Sequence, residues 1–103
     1  MNDLMHESLR VHVENGVIVA VGELDLVGGP VLDEVVQAIE RAGEAVVIDL
    51  SQVTFVDSSG LRSLIAASQR TATAGHRVRL VKPTSVVTRL LEITATATMF
   101  DID

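Results

Sequence analysis

The 103-residue chain carries 14 acidic residues against 8 lysines and arginines, a formal net charge of −6, and has no cysteine. That length supports one domain around one core, and the missing thiols exclude disulfides, thiolate metal sites and thiol redox chemistry. An acidic chain with no basic cluster and with Phe55 and Phe100 as its only aromatics speaks against direct nucleic-acid binding. No apolar run is long enough to span a bilayer, and the opening MNDLMHESLR lacks a basic-then-apolar signal pattern. The expectation is a soluble cytoplasmic protein without membrane insertion, partnered by another protein or a small ligand.

In chain order, residues 1–7 are polar and expected to fray. Leu9, Val11 and Val13 alternate with Arg10, His12 and Glu14, the period of a half-buried strand. Asn15-Gly16 is a hairpin turn signal, since both residues tolerate positive φ, and Val17 to Val21 returns as a second strand. Gly22-Glu23-Leu24-Asp25-Leu26 reads as the exit from that strand. Val27-Gly28-Gly29-Pro30 opens a helix with proline in its first turn. Val31, Leu32, Val35, Val36 and Ile39 form the helix's apolar stripe, and Gly43 stops it.

The stretch Ala45 to Ala67, AVVIDLSQVTFVDSSGLRSLIAA, organises the rest. Val46 to Leu50 is a β-branched apolar run suited to a central strand. Ser51 to Val56 reads as a connection whose Val53, Phe55 and Val56 hug the core. Asp57-Ser58-Ser59-Gly60 then has the composition of a helix start, and Leu61, Leu64 and Ile65 recur at helical spacing. The second helix ends at Gly75. Val78 to Val81 forms a fourth strand, and Thr84-Ser85 supplies capping oxygens for a third helix carrying Val86, Val87, Leu90, Leu91 and Ile93. Thr94 to Thr98 is ambiguous, and Met99 to Ile102 suits a short last strand. The fold class is thus α/β: one domain with a mixed sheet of four to five strands opening on an antiparallel hairpin, and three or more helices packed on it. If the second and third strands are neighbours, the Glu23-Leu24-Asp25 loop and the Asp57-Ser58-Ser59 corner lie side by side beyond their carboxyl ends.

The chemistry open to such a chain is narrow. Two hydroxyls at a helix N-terminus are capping groups in most proteins, yet the same position suits a phosphoacceptor, because a phosphate there faces unpaired amides and the positive helix end. His6, His12 and His76 are scattered without metal-ligand spacing. No Gly-x-Ser-x-Gly elbow and no glycine-rich phosphate loop is present. Asp57 and Lys82-Pro83 suggest a two-component receiver, but that fold needs an acidic pair after the first strand, where this chain has Asn15-Gly16. Asp49, inside an apolar strand, reads as a satisfied structural group.

The segment VIDLSQVTFVDSSGLRSLIAAS resembles the signature of the STAS domain of bacterial anti-sigma factor antagonists. Gly22 to Leu26 resembles that family's second-strand exit, and Val81-Lys82-Pro83-Thr84 with Val86 to Ile93 its fourth-strand-to-helix segment. The resemblance implies a binding module rather than an enzyme, with no cofactor or metal of its own. Its partner would be an anti-sigma factor of the GHKL serine-kinase type. The unmodified domain would bind that kinase and release a sigma factor. Phosphorylation at Ser58, with Ser59 as the alternative acceptor, would switch binding off, and a PP2C-type phosphatase would restore it. Glu23, Leu24, Asp25, Asp57, Ser58, Ser59, Gly60, Leu61 and Arg62 would form the partner-binding surface. Arg62, four residues after Ser58, is expected to pair with the phosphoserine or with a partner carboxylate. The rival role within the resemblance is an unphosphorylated subunit of a lipid-transport ABC ATPase or a stressosome-type scaffold.

Overall fold

The computed structural model describes residues 8–103, so the expected fraying of residues 1–7 lies outside the described residues. The hairpin forms as its turn chemistry requires. Strand β1 (Leu9–Glu14) runs antiparallel to β2 (Val17–Leu24), with Asn15 at φ 52° and Gly16 at φ 80° between them. Three crossover units follow: α1 (Gly28–Arg41), β3 (Val47–Val56), α2 (Ser58–Thr73), β4 (Arg79–Val81), α3 (Ser85–Ile93) and β5 (Asp101–Ile102), the last entered through a 3-10 turn at Ala97–Met99. The five strands lie in chain order, and β2 through β5 are mutually parallel.

Strand β3 is twice as long as its apolar run suggests. Ser51 to Val56 is strand rather than connection, because β2 continues to pair with it through Val21↔Gln52, Gly22↔Val53, Glu23↔Phe55 and Leu24↔Val56. Two register shifts interrupt this ladder. A bulge inserts an extra residue and flips the side chains beyond it to the other face. Val53 and Val56 are therefore buried three positions apart, while Phe55 turns outward and is 44% exposed rather than hugging the core. The same ladder makes Glu23 and Leu24 strand residues, not loop.

The core is aliphatic, with Ile18, Leu24, Leu32, Ile48, Leu50, Leu64, Leu80 and Leu91 fully enclosed and Phe100 as its only aromatic. Helix α1 packs against β1, β2 and α2, whereas α3 packs against β3 and the 3-10 turn. Three apolar positions expected to face the core from the helices lie outward: Val31 on α1, and Val86 and Ile93 on α3. The Arg70 guanidinium ties the two long helices together, donating to both Glu40 carboxylate oxygens at 3.1–3.2 Å and to Asp33 at 3.0 Å. Those bonds to Glu40 hold its proton more firmly than in a free arginine. Helix α3 lacks the expected side-chain cap; the Thr84 hydroxyl is directed to the Val53 carbonyl, to which it donates at 2.8 Å. That bond anchors α3 to the bulged half of β3. Gly43 (φ 74°) and Gly75 (φ 83°) end α1 and α2 in left-handed conformation, as their positions predict.

One glycine decides where α2 begins. A Cβ on Gly60 would lie 1.9 Å from the carbonyl oxygen of Leu24, at the end of β2. Only a residue without a side chain lets the helix start seat directly on that strand end. Gly60→Ala is therefore expected to cost about 3 kcal/mol or more. Gly43→Ala, which meets open space but keeps a left-handed φ, should cost about 1 kcal/mol. Urea denaturation of the two variants checks the ratio; equal costs would refute the steric constraint.

Candidate functional site

The carboxyl ends of β2 and β3 lie side by side, since Leu24 pairs with Val56 and the Asp57 amide donates to the Leu24 carbonyl at 3.3 Å. Each strand is followed at once by an aspartate whose carboxylate accepts amides where the next helix begins. One Asp25 oxygen accepts the amides of Val27 (3.0 Å) and Gly28 (2.8 Å) and the Ser8 hydroxyl (2.9 Å). The Asp57 carboxylate accepts the Gly60 amide at 2.9 Å from extended backbone. Two helix N-termini and two carboxylates thus share one end of the sheet.

The capping oxygen of α2 belongs to Asp57 and not to either serine. Ser58 is the first helical residue and is exposed, and Ser59 is half-buried. Among the described residues, neither hydroxyl makes a hydrogen bond, and the Ser58 and Ser59 amides have no protein acceptor. The Ser58 hydroxyl therefore points into solvent beside two open donors, with no structural duty to give up. Ser59 instead lines a shallow groove of about 240 Å³ between α1 and α2, together with Leu26, Pro30, Asp33 and Arg62. Arg62 is exposed and, unlike Arg70, makes no ion pair among the described residues. It stands in the groove with Ser59, one helical turn beyond Ser58.

The residues expected to meet a partner divide by burial. Glu23, Ser58 and Arg62 are exposed, and Asp25, Asp57 and Ser59 are partly so. Leu24, Gly60 and Leu61 are buried, so the two leucine side chains and the bare Gly60 backbone shape the corner from beneath rather than touch anything that lands on it. Sequence reasoning missed Leu26 (72% exposed), Val27 and Phe55, which give the corner an apolar rim. It also missed that the Asp25 carboxylate accepts amides at the start of α1; the signal was its place two and three residues before those of Val27 and Gly28.

The carboxyl of Asp25 is held below the ordinary carboxylate range, chiefly by the Gly28 amide, against the opposing effect of desolvation. A depressed folded-state pKa stabilises the fold above the unfolded value, here 3.8, and that gain is lost as pH falls through the lower folded value. Asp25→Ala should accordingly cost about 1 kcal/mol at neutral pH. The gap to the parent should narrow below about pH 4. Urea midpoints measured from pH 7 to pH 2.5 check this; a gap that widens with acid would refute it.

Residues 7–101 match a family model described as "Mlab, STAS domain". The structure is similar to an anti-sigma factor antagonist from Mycobacterium paratuberculosis, at 29% identity and a TM-score of 0.73, covering 91% of this chain and 82% of that one. It shares its fold with TM1081 of Thermotoga maritima, a candidate antagonist, at 20% identity and a TM-score of 0.74 over 94% and 86% of the two chains. It also shares it with the phosphorylated form of Bacillus SpoIIAA, at 15% identity and 0.66 over 92% and 90%. With a match across nearly its whole length, and a five-stranded mixed sheet opening on an antiparallel hairpin, the chain belongs to the STAS domain family.

Proposed function

We propose that this domain is a cytoplasmic anti-sigma factor antagonist, a binding module rather than a catalyst, switched by phosphorylation at Ser58. In its unmodified form it docks on an anti-sigma factor of the GHKL serine-kinase type and thereby releases a sigma factor. That kinase transfers phosphate from ATP to the Ser58 hydroxyl, and a PP2C-type phosphatase removes it. The observation that carries this reading is the free, exposed Ser58 hydroxyl at the first position of α2, with capping already done by Asp57. Similarity to the mycobacterial antagonist supports it. Ser59 is the weaker acceptor because it is half-buried in the groove.

Magnitudes favour a switch at the surface over one that refolds the domain. Phosphate at Ser58 adds about −1.5 to −2 charges. The open amides and the positive end of α2 accept that charge within the free domain. A partner covering the corner must instead desolvate it beside Asp57 and Glu23, and such like-charge burial costs several kcal/mol. A hundredfold loss of affinity requires only about 2.8 kcal/mol. Arg62, within one turn of both serines, is the cation placed to hold the phosphate in the free state.

Incubation with the cognate kinase and ATP, followed by mass spectrometry, should place one phosphate on Ser58 and none on Ser58→Ala. Binding by calorimetry should be near parental for Ser58→Ala and weakened about a hundredfold or more for Ser58→Asp. Phosphate on Ser59 alone, or binding indifferent to Ser58→Asp, would overturn the switch and fit a constitutive subunit of a transport ATPase or a scaffold. Arg62→Ala should lower the thermal stability of the phosphoprotein more than that of the unmodified domain. An equal effect on both would leave Arg62 an ordinary solvated arginine.

A further inference from the structure

The two edges of the sheet differ. β5 is only two residues long, and shortness is one way to blunt an edge. β1 offers six residues in uninterrupted register with β2, with no proline and no bulge. Arg10, His12, Val13 and Glu14 on it are all exposed, and Val11 is half-buried.

The hairpin determines which backbone groups of β1 face outward. A two-residue turn makes its flanking pair, Glu14 and Val17, hydrogen-bonded, and bonded pairs then alternate along the strand. Arg10, His12 and Glu14 therefore spend their amides and carbonyls on β2. Leu9, Val11 and Val13 present theirs to whatever lies beyond the edge. A second β1 can pair there only if its outward residues face these outward residues. Centred on Val11, an antiparallel pair of β1 strands sets Arg10 against His12; centred on Val13, it sets His12 against Glu14. Centred on His12, it sets Arg10 of each copy against Glu14 of the other. The two Val11–Val13 pairs are then hydrogen-bonded, and the Arg10–Glu14 pairs fall at non-bonded positions, where Cα atoms approach to about 4.5 Å. On the opposite face, Val13, 46% exposed in the single chain, packs on Val11 of the second copy. Glu14 already accepts His12 of its own strand at 3.1 Å, and the two copies of His12 face each other at the centre, so the polar row becomes continuous.

We propose that β1 is a self-pairing edge, through which two copies of this chain join their sheets antiparallel about His12, with reciprocal Arg10–Glu14 pairs. The partner it fits is a second copy, because the charge pattern is complementary to its own reverse.

Sedimentation equilibrium of the full chain over a wide concentration range tests this. The parent should show a reversible monomer–dimer equilibrium. Arg10→Glu and Glu14→Arg should each raise the dimer dissociation constant about tenfold or more, since each sets like charges opposite one another. An equimolar mixture of the two variants should recover parental dimerisation, because both pairs between positions 10 and 14 are then Glu against Arg. Val13→Pro, tolerated on an edge but unable to donate outward, should be monomeric with parental circular dichroism; if it fails to fold, the charge variants decide alone. A parent that stays monomeric at millimolar concentration, or a dimer unmoved by either charge reversal, would overturn the proposal.

Discussion

The contact on which the site depends is that of a helix start on a strand end. Gly60 brings the first turn of α2 against the carbonyl of Leu24, so that a single Cβ would collide with it. Asp57 then reaches both ways: its amide donates to Leu24 and its carboxylate accepts from Gly60. Position and orientation of α2 follow from these groups, and with them the exposure of Ser58. Gly28 plays a similar part for α1, since a Cβ there would meet the Glu23 carbonyl oxygen at 2.5 Å. Both helices are thus seated on the same strand end, and their N-terminal poles point to one patch of solvent.

That arrangement separates two tasks the sequence seemed to assign to one set of side chains. The amides at the two helix starts are accepted by Asp25 and Asp57, each through one carboxylate oxygen. The serine hydroxyls are left over. A hydroxyl with no structural bond can be modified without loosening the helix it sits on. Open amides beside it lower the cost of the added charge in the free domain but not beneath a docked protein. The exposed Leu26, Val27 and Phe55 around it offer apolar area for docking, while the groove beside Ser59 brings Arg62 within reach.

Much of this was legible in the residues themselves. Asn15-Gly16 announced the hairpin and Gly43 and Gly75 the helix ends, because each takes a positive φ that few other residues adopt. Asp57 to Gly60 announced the corner by the composition of a helix start. The second half of β3 was hidden because its bulges replace the period-two pattern with burial every third residue. The outward turn of Phe55 has the same origin. Thr84 failed as a cap; its hydroxyl is directed to a tertiary acceptor, the Val53 carbonyl, and accepts no amide of α3. Burial of Leu24 and Leu61 depends on how the strand end and helix start meet, which local periodicity does not encode.

The central claim is that modification of Ser58 acts at the surface and leaves the fold unchanged. Amide proton–nitrogen NMR spectra of the domain before and after phosphorylation test it most directly. Shifts confined to the ends of β2 and β3, the first turns of α1 and α2, and Arg62 are the predicted result. Changes spreading through β4, β5 and α3 would instead show that the phosphate drives a conformational change, and would contradict a switch built on an unencumbered hydroxyl.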